Sequence, residues 1–454
     1  MPAPTSTSKP VSLIILGGGQ RGVVYADYTI AHPDLAEVVA VADPRPLRRK
    51  LFARRHHLAD DKVFNDWEDV AKLPRFADAV VISTLDKLHA PMVSVFSKLG
   101  YHILCEKPMA TSISDCINMV REIESGRTDA GSPLVFGVGH VLRYSPYNQA
   151  IKEVINSGAL GDIVNIQHIE PVGNEHFVHS FVRGNWKSEN ETTFALMAKC
   201  CHDLDIVNFY LSGRKPVQVS SFGSLSLFKP SRKPKAAGDA KRCLDCPAEE
   251  DCVWSAKKVY LEKHQGSTKQ HTNVSTPGHH AADIQWAEHI VNAEEINEAT
   301  VTEALRNGQY GVCAFEAGND VVDHQVVNVE YEDGVTASVT MSAFTEAECS
   351  RATVIQGTLG ELIGDMDTFT VFDFLTRTKK HHKPDAGIGL HGGGDAGLAE
   401  AFVSAVHTDD QSKLGITPDD VLNSHLVVFA AETARREKRV VDFGSFKEAA
   451  MQAS

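Results

Sequence analysis

The sequence predicts an α/β protein: a doubly wound parallel Rossmann sheet followed by a second α/β domain with a large mixed, mostly antiparallel sheet. Apolar runs alternate with helical stretches through roughly the first 140 residues, which is typical of parallel sheets. A glycine-rich turn follows the first of these runs. In the second half, apolar and polar residues alternate on both sides of the turn "EDG" at 332–334, a pattern that predicts antiparallel strands.

Length, composition and charge narrow the class of protein. The chain has 454 residues, of which 43% are hydrophobic and 23% charged, so two domains of ordinary size are expected. No apolar run reaches the roughly 20 residues that span a bilayer. The formal charge of −14 would repel nucleic-acid phosphates. We therefore expect neither a membrane nor a nucleic-acid partner.

The nine cysteines are irregularly spaced, which suits a reducing compartment, and the start "MPAPTSTSKP" lacks the charged region of a secretory signal. These features predict a cytoplasmic protein with a disordered tail at 1–10. We place a dinucleotide-binding domain at 11–138 and a substrate-binding and oligomerisation domain at 139–454. The latter holds a cysteine-containing excursion at about 228–280, and its last helix is expected to pack back on the first domain. One face of the large sheet is expected to pair with another subunit, in a homodimer or homotetramer.

The segment "VSLIILGGGQRG" places the pattern G-x-G-x-x-G directly after an apolar strand. In this pattern Gly17 permits a tight turn, Gly19 lets the backbone approach a pyrophosphate, and Gly22 lets the following helix pack closely on the strand. The N–H groups at the start of that helix would face the phosphates. Gln20 and Arg21 lie in the same turn and are predicted cofactor-binding positions.

The ends of the next strands supply further candidates for the cofactor site. "EVVAVAD" ends at Asp43, 21 residues beyond Gly22, where a carboxylate would bind the ribose hydroxyls and repel a 2′-phosphate. Arg45 would instead attract a 2′-phosphate, so the sequence favours NAD and leaves NADP open. "DAVVIST" ends at Thr84 and "YHILCE" at Glu106, followed by Lys107. Ligands of such sheets lie beyond the carboxyl ends of the strands, so these residues are predicted to line the cofactor cleft.

Taken together, these motifs resemble those of the Gfo/Idh/MocA oxidoreductases. The resemblance rests on "GGGQRG", on Asp43, on "STLDKLHAPM" with Asp86 and His89, and above all on "CEKPMA". It extends through "YNQAIKEVINSGALGDIVNIQ" to "ITPDDVLNSHLVVFAAETA". It implies an NAD(P)-dependent enzyme acting on a hydroxyl or carbonyl of a sugar, polyol or cyclic alcohol. It also implies that His89 belongs to the cofactor site and that Lys107 contacts both the nicotinamide ribose and the substrate hydroxyl.

The segment "TTFALMAKCCHDLDIVNFYLSG" is predicted to be a helix that carries the proton-handling residues. The family tends to have D-x-G-x-H-x-x-D here, and His202 with Asp205 matches its last two positions. Ala198 and Cys200 stand where the aspartate and glycine are expected, so Lys199 or Asp203 is expected to compensate. Imidazole titrates near neutral pH, which makes His202 the candidate base, although Lys107 could share that task. We expect Lys107 and His202 to flank the reactive carbinol.

Two neighbouring segments concentrate side chains suited to polyhydroxylated substrates. Guanidinium groups bind hydroxyls or carboxylates, and an indole face packs on the apolar side of a sugar ring. The predicted substrate-binding residues are Arg143, Tyr144, His179, Arg183 and Trp186.

A cysteine cluster, "KRCLDCPAEEDCVW", has the spacing Cys243-x2-Cys246-x5-Cys252. Three thiols this close resemble half of a zinc site, whose fourth ligand would be His264, His271, His279 or Cys313. A disulfide, an iron–sulfur cluster and plain reduced thiols are the alternatives. We predict a structural zinc remote from the nicotinamide.

Two other functions remain open at this stage. Some relatives of the family retain NAD and cleave glycosides by transient oxidation and elimination. The missing aspartate at position 198 would also suit a catalytically silent dinucleotide-sensing protein, although Lys107 and His202 argue against it.

Overall fold

The computed structural model describes residues 9–262, 286–385, 387 and 391–454, and most of the predicted N-terminal tail lies outside this range. The chain divides into two compact units. Unit 1 comprises Met1–Pro146, Gly387–Leu426 and Ala449–Ser454, and unit 2 comprises Tyr147–Ala386 and Val427–Glu448. Each unit contains its own sheet.

Unit 1 is built on a parallel sheet in which, among the described residues, six strands run in the order β3-β2-β1-β4-β5-β6. β1, β4 and β5 are buried at every position, as expected of strands covered on both faces. The strand order reverses between β1 and β4, which is the arrangement of a Rossmann fold. This part of the fold prediction is confirmed. The strands are β1 Val11–Leu16, β2 Ala36–Ala42, β3 Val63–Phe64, β4 Ala79–Ile82, β5 His102–Cys105 and β6 Phe136–Val138.

The helices of unit 1 cover this sheet. They are Gln20–Ala31, Pro46–Arg55, Trp67–Ala71, His89–Lys98, Ile113–Ser125 and Gly394–Thr408. The last of them comes from far along the chain and packs against helix Gln20–Ala31. It thereby brings Asp395 to the helix that follows the glycine-rich turn.

Unit 2 contains the second sheet, in which the described strands run in the order β14-β13-β12-β11-β7-β10-β9-β8-β15. The pair β7 and β10 is parallel, and the other paired strands are antiparallel, so the predicted mixed, mostly antiparallel sheet is confirmed. The strands are β7 Ile163–Pro171, β8 Pro216–Ser224, β9 His324–Tyr331, β10 Thr336–Ser342, β11 Ala352–Gly357, β12 Gly360–Gly364, β13 Phe369–Asp373, β14 Lys379–His382 and β15 Val441–Asp442.

Short helices connect these strands. Those described within unit 2 are Asn174–Phe177, Ala195–Ala198, Cys201–Tyr210, Trp286–Ile290 and Glu298–Asn307, with π-helical turns at Val178–Arg183 and Lys257–Glu262. Helices Pro146–Asn156, Pro418–Glu437 and Phe443–Ala453 belong in part to each unit. In the part of the chain that the structure describes, none of the helices has the length and apolar character needed to cross a membrane.

A long segment between β8 and β9 forms a small hydrophobic core of its own. Tyr260 and Leu261 pack there with Val301 and Leu305 of helix Glu298–Asn307. That helix begins with a capping box between Asn297 and Thr300. The predicted cysteine-containing excursion at about 228–280 falls within this segment, although residues 263–285 lie outside the described part.

Candidate active site

The glycine-rich turn of unit 1 has the geometry that its sequence predicts. Gly17 has φ +102°, and a Cβ atom there would lie 2.4 Å from the carbonyl oxygen of Ser83. A Cβ atom on Gly22 would lie 2.0 Å from the carbonyl oxygen of Gly17. Glycine is therefore required at both positions. Gly19 is the N-cap of helix Gln20–Ala31, so the first N–H groups of this helix are available to phosphate oxygens.

Asp43 connects the end of β2 to the glycine-rich turn. Its Oδ2 accepts hydrogen bonds from the Gly18 N–H at 2.8 Å and from Arg45 Nη2 at 2.6 Å. Its Oδ1 accepts from the backbone N and Nε of Arg45 at 2.8 and 2.9 Å. Burial raises the pKa of Asp43, but these bonds lower it more, and the net shift is downward. The carboxylate is thus charged at the position where a ribose would bind.

Lys107 follows β5 and stands beside a buried network of charges. Glu106 Oε2 accepts a hydrogen bond from the Lys107 backbone N at 2.8 Å, and its Oε1 accepts from Arg21 Nε at 2.6 Å and from the Tyr25 hydroxyl at 2.7 Å. Arg21 Nη2 reaches Asp395 Oδ1 at 2.5 Å. Burial raises the pKa of Glu106, but Arg21 and Lys107 bring it below its ordinary value. The network therefore fixes the backbone at Lys107 with charged groups.

Asp395 and His391 form the outer end of this network. His391 Nδ1 lies 2.8 Å from Asp395 Oδ2. Burial raises the pKa of Asp395, but His391 and Arg21 outweigh it, and the pKa falls to about 2. Arg21 thus binds both Glu106 and Asp395, and this network supports the backbone at Lys107. The predicted contacts of Arg21 and Glu106 with the cofactor stay a prediction.

Two histidines hold the segment from Lys107 to Met109 from other directions. His89 is fully buried, with Nδ1 2.8 Å from the Pro108 carbonyl oxygen and Nε2 3.2 Å from the Thr84 carbonyl oxygen. The Met109 N–H donates to His425 Nε2 at 3.0 Å. The Lys107–Pro108 peptide bond is cis. His89 and Thr84, both predicted to bind cofactor, thus also position the Lys107 backbone.

In unit 2, the predicted proton-handling segment is two short helices, Ala195–Ala198 and Cys201–Tyr210, rather than one. Lys199 lies at the break and is buried, with its Nζ 2.9 Å from Cys349 Sγ and 3.4 Å from Glu170 Oε1. Burial lowers the pKa of Lys199, but Cys349 and Glu170 raise it more, so it lies well above its ordinary value. These contacts favour the protonated form of Lys199. His202, three positions on, is also buried.

Asp203 is committed to an ion-pair cluster. Its Oδ1 lies 3.0 Å from His168 Nε2 and 2.9 Å from Arg351 Nε, and the same Arg351 Nε lies 2.8 Å from Glu170 Oε2. All of these side chains are buried. Asp203 is therefore engaged in these ion pairs, and its compensating role stays a prediction. Asp205 is buried as well, and its supporting role stays a prediction.

The partners of Asp203 in this ion-pair cluster were not predicted from the sequence. His168 and Glu170 lie two residues apart in β7, and both are buried on the same face as Ile166. Polar residues at inward positions of an alternating strand are unusual, and this signal could have identified them. Cys349 and Arg351 follow β10, and nothing in their local sequence indicates their partners.

Two predicted substrate-binding residues instead hold the segment between β8 and β9. Arg183 is 1% exposed and donates from Nε to the Val312 carbonyl oxygen at 2.7 Å and from Nη2 to that of Trp254 at 2.6 Å. His179 Nδ1 lies 3.0 Å from the Tyr260 hydroxyl, and the ring stacks on Tyr310 at 4.8 Å between centroids. Burial and nearby histidines lower the pKa of His179 to about 2. Both side chains are engaged by this segment, and their predicted contact with a substrate stays a prediction.

Of the remaining predicted substrate contacts, Tyr144 and Trp186 are partly exposed and Arg143 is buried. Tyr144, half-buried in unit 1, donates its hydroxyl hydrogen bond to the Leu414 carbonyl oxygen at 2.8 Å, and its neighbour Arg143 is buried. Trp186 of unit 2 is half-buried, with its ring 6.2 Å from that of Phe181. Their role in substrate binding stays a prediction.

The four cysteines of the segment between β8 and β9 line one pocket: Cys243, Cys246, Cys252 and Cys313. All are free thiols. Among the described residues, however, no group of three or more His, Cys, Asp or Glu side chains is arranged to hold a metal ion. The other proposed ligands, His264, His271 and His279, lie outside the described residues. The predicted structural zinc is therefore not supported.

A Rossmann sheet with a dinucleotide-compatible glycine turn, in one chain with a second α/β unit, defines a class: the two-domain NAD(P)-dependent oxidoreductases. The chain belongs to the Gfo/Idh/MocA oxidoreductase family, as its motifs predicted. Residues 11–128 match the domain described as "Oxidoreductase family, NAD-binding Rossmann fold". Residues 152–443 match the one described as "Oxidoreductase family, C-terminal alpha/beta domain".

Several known proteins are similar to this chain at modest sequence identity. YteT of Bacillus subtilis, named as an oxidoreductase, is 25% identical over 334 residues, which cover 72% of this chain and 69% of that protein. Inositol 2-dehydrogenase of Rubrobacter xylanophilus is 34% identical over 154 residues, 34% of this chain and 42% of that protein. A structure of levoglucosan dehydrogenase with NADH and levoglucosan has a TM-score of 0.67 at 17% identity, covering 96% of this chain and all of that one (100%). The last comparison shows a shared fold.

Proposed function

We propose that the protein transfers a hydride between NAD(P) and a hydroxyl or carbonyl group of a sugar, polyol or cyclic alcohol. The observation that carries this proposal is the setting of Lys107, whose backbone is fixed by Glu106 and its buried partners at the carboxyl end of β5. That edge of an open α/β sheet is where ligands bind. Relatives named as dehydrogenases of inositol and levoglucosan support the substrate class.

The residues of unit 1 fit a dinucleotide. Gly17 and Gly22 permit the tight turn that leads into helix Gln20–Ala31, whose N-terminus at Gly19 suits a pyrophosphate, and the Asp43 carboxylate suits the ribose hydroxyls. Bound NAD(P) would supply the hydride acceptor. Gln20 remains a proposed contact on the same turn.

The basic residues would have different roles in removing the proton of the substrate hydroxyl. The carbinol hydroxyl must lose its proton as hydride leaves, and Lys199 keeps its own proton because Cys349 and Glu170 stabilise its charge. We assign proton acceptance to His202, because imidazole is suited to that role near neutral pH. Lys107 and Lys199 would act as cations that favour the alkoxide, and Arg143, Tyr144 and Trp186 would bind the other hydroxyls.

The test is a screen of sugars, anhydrosugars and cyclitols with NAD and NADP, followed by the absorbance of the reduced nicotinamide. Substrate-dependent reduction supports the proposal. Cleavage of a glycoside with retained cofactor and no net reduction would instead indicate the elimination route. Cofactor binding without any turnover across the panel would favour a dinucleotide-sensing protein. Size-exclusion chromatography with light scattering would test the predicted homodimer or homotetramer.

NAD(H) is expected to bind at least several-fold more tightly than NADP(H), because the charged Asp43 carboxylate would repel a 2′-phosphate. Arg45 opposes this effect, since its guanidinium pairs with Asp43 while its side chain stays 54% exposed. Removing that cation in Arg45→Met should weaken NADP(H) binding more than NAD(H) binding. Fluorescence titrations of both cofactors measure the two ratios. Equal affinities in the wild type would show that Arg45 dominates.

A further inference from the structure

One thiol of unit 2 lies within reach of two basic side chains. Cys349 Sγ is 2.9 Å from Lys199 Nζ and 3.4 Å from His176 Nδ1. We propose that Cys349 is held as a thiolate by these two groups and is a modification site, oxidised by hydrogen peroxide in preference to the other eight cysteines. This inference concerns a residue outside the proposed hydride-transfer chemistry.

The backbone holds Cys349 in one place. Its N–H donates to the Pro171 carbonyl oxygen at 2.6 Å, and its own carbonyl oxygen accepts from Arg351 Nη1 at 2.9 Å. Its φ is +58°, in the left-handed region that residues other than glycine seldom adopt. The thiol is therefore presented to Lys199 by a fixed turn. The residue is partly exposed, while its thiol packs against Lys199, His176 and the Val172 carbonyl oxygen, so a small oxidant is the suitable reagent.

The charges around the thiol favour its ionised form. Burial raises the pKa of Cys349, but the positive charge of Lys199 and the contact with His176 lower it more, and the net shift is downward. The opposing carboxylates are themselves paired, Glu170 with Lys199 and Arg351, and Glu348 with His176. The titratable and charged groups that face this thiol are Lys199, His176, Glu170, Glu348 and Arg351.

Five other cysteines lie where burial favours the neutral thiol. Six of the nine are buried, and Cys246 and Cys252 are the other two that are partly exposed. Burial raises the pKa of Cys105, Cys116, Cys200, Cys252 and Cys313. The thiolate is the reactive form of cysteine. Cys349 is partly exposed and its ionised form is favoured, whereas Cys252 is partly exposed with a raised pKa and serves as the comparison in the same protein.

The chemistry balances with hydrogen peroxide as the oxidant. The thiolate sulfur attacks one peroxide oxygen, an S–O bond forms, the O–O bond breaks, and hydroxide leaves. Sulfur loses two electrons to the peroxide, and Cys349 becomes a sulfenic acid. The neutral product no longer balances the charge of Lys199, so oxidation would also disturb the group that we propose stabilises the alkoxide. That consequence rests on the proposed function, whereas the oxidation itself does not.

The test measures labelling at each cysteine in the full-length protein. Brief treatment with iodoacetamide at pH 7, and separately with hydrogen peroxide and dimedone, is followed by peptide mass spectrometry. Cys349 is expected to react on the order of 10-fold or more faster than Cys252, because a larger fraction of it is thiolate. Equal rates, or faster reaction of Cys252, would overturn the proposal.

Variants of Lys199 test whether its positive charge, rather than the exposure of the thiol, causes the fast labelling of Cys349. Lys199→Met should slow the labelling of Cys349 by about 10-fold and leave Cys252 unchanged, whereas Lys199→Arg should preserve fast labelling because it keeps the charge. If Lys199→Met does not fold, His176→Gln is the replacement, with a smaller slowing expected. An unchanged Cys349 rate in the folded variant would rule out the cationic origin. These readouts need no substrate, so they can fail or succeed independently of the proposed dehydrogenase activity.

Discussion

Lys107→Met is expected to reduce turnover on the order of 100-fold or more while leaving NAD(H) affinity within a few-fold of the wild type. Methionine keeps a stem of similar length, so the backbone N–H that Glu106 accepts remains in place. What is lost is the charge that we propose stabilises the developing alkoxide. Steady-state kinetics on a substrate found in the screen, with a parallel fluorescence titration of NAD, measure the two effects separately.

The matched control is Lys98→Met, which removes a lysine that is 69% exposed on helix His89–Lys98, where it forms an ion pair with a partly exposed Glu122 and donates to the Ser94 hydroxyl. It should leave both turnover and cofactor affinity unchanged. Wild-type turnover in Lys107→Met would remove the reason for interpreting "CEKPMA" as catalytic. That segment would then be a well-ordered charged turn.

His202→Ala tests the assignment of the base in the same assay. If His202 accepts the proton, its loss should lower turnover by about 100-fold or more, and adding Lys107→Met should cost little further, because the two groups act as a unit. A His202 variant with normal turnover and only weaker substrate binding would instead make Lys107 the base. Lys199 is not a candidate for that role, since its pKa lies above the ordinary value.

The parts of the molecule that were predictable from sequence are those with local signatures. Runs that are almost entirely apolar marked β1, β4 and β5, because strands covered on both faces bury nearly every side chain. The glycine spacing predicted the turn at Gly17, because its φ of +102° and the nearby Ser83 carbonyl exclude other residues. Each of these constraints acts within a few residues of chain or on a single strand.

The parts that were not predictable depend on long-range pairing. Arg21 sits at a variable position of the glycine motif, and only the return of helix Gly394–Thr408 supplies its partner Asp395, 374 residues away. The guanidinium of Arg183 has the chemistry to bind sugar hydroxyls. In the structure it donates hydrogen bonds to carbonyl groups of the segment between β8 and β9. A side chain's chemistry indicates what it can bind, but the tertiary structure decides what it meets.

The cluster around Arg351 is the clearest case, and it leads to the largest expected effect on stability. Arg351→Met should destabilise unit 2 by roughly 3–5 kcal/mol, the cost typical of leaving buried charges without their partner. Arg351 is 2% exposed, and its partners Glu170 and Asp203 are fully buried. Urea unfolding followed by tryptophan fluorescence suits this test, because three of the four tryptophans, Trp186, Trp254 and Trp286, belong to unit 2. The matched control in the same unit is Arg439→Met, whose ion pair with Glu437 is half exposed and should contribute about 1 kcal/mol or less.

The free energy of unfolding of wild type and that of Arg351→Met should differ by an amount that depends on pH. This dependence distinguishes the loss of charge pairing from the loss of packing. Burial raises the pKa of Asp203, but Arg351 and His168 lower it more, so in the wild type its net shift is downward. A carboxylate with a lowered pKa stabilises the fold above its unfolded value of about 3.9, and this contribution is lost as the pH falls further. Without Arg351, burial prevails, Asp203 takes up a proton at higher pH, and protonation relieves its uncompensated charge. The gap in unfolding free energy between wild type and Arg351→Met should therefore be widest near pH 7 and narrow towards pH 4. A gap of constant size across that range would mean that Arg351 stabilises unit 2 by packing alone, and the buried ion pairs would then have no measurable role.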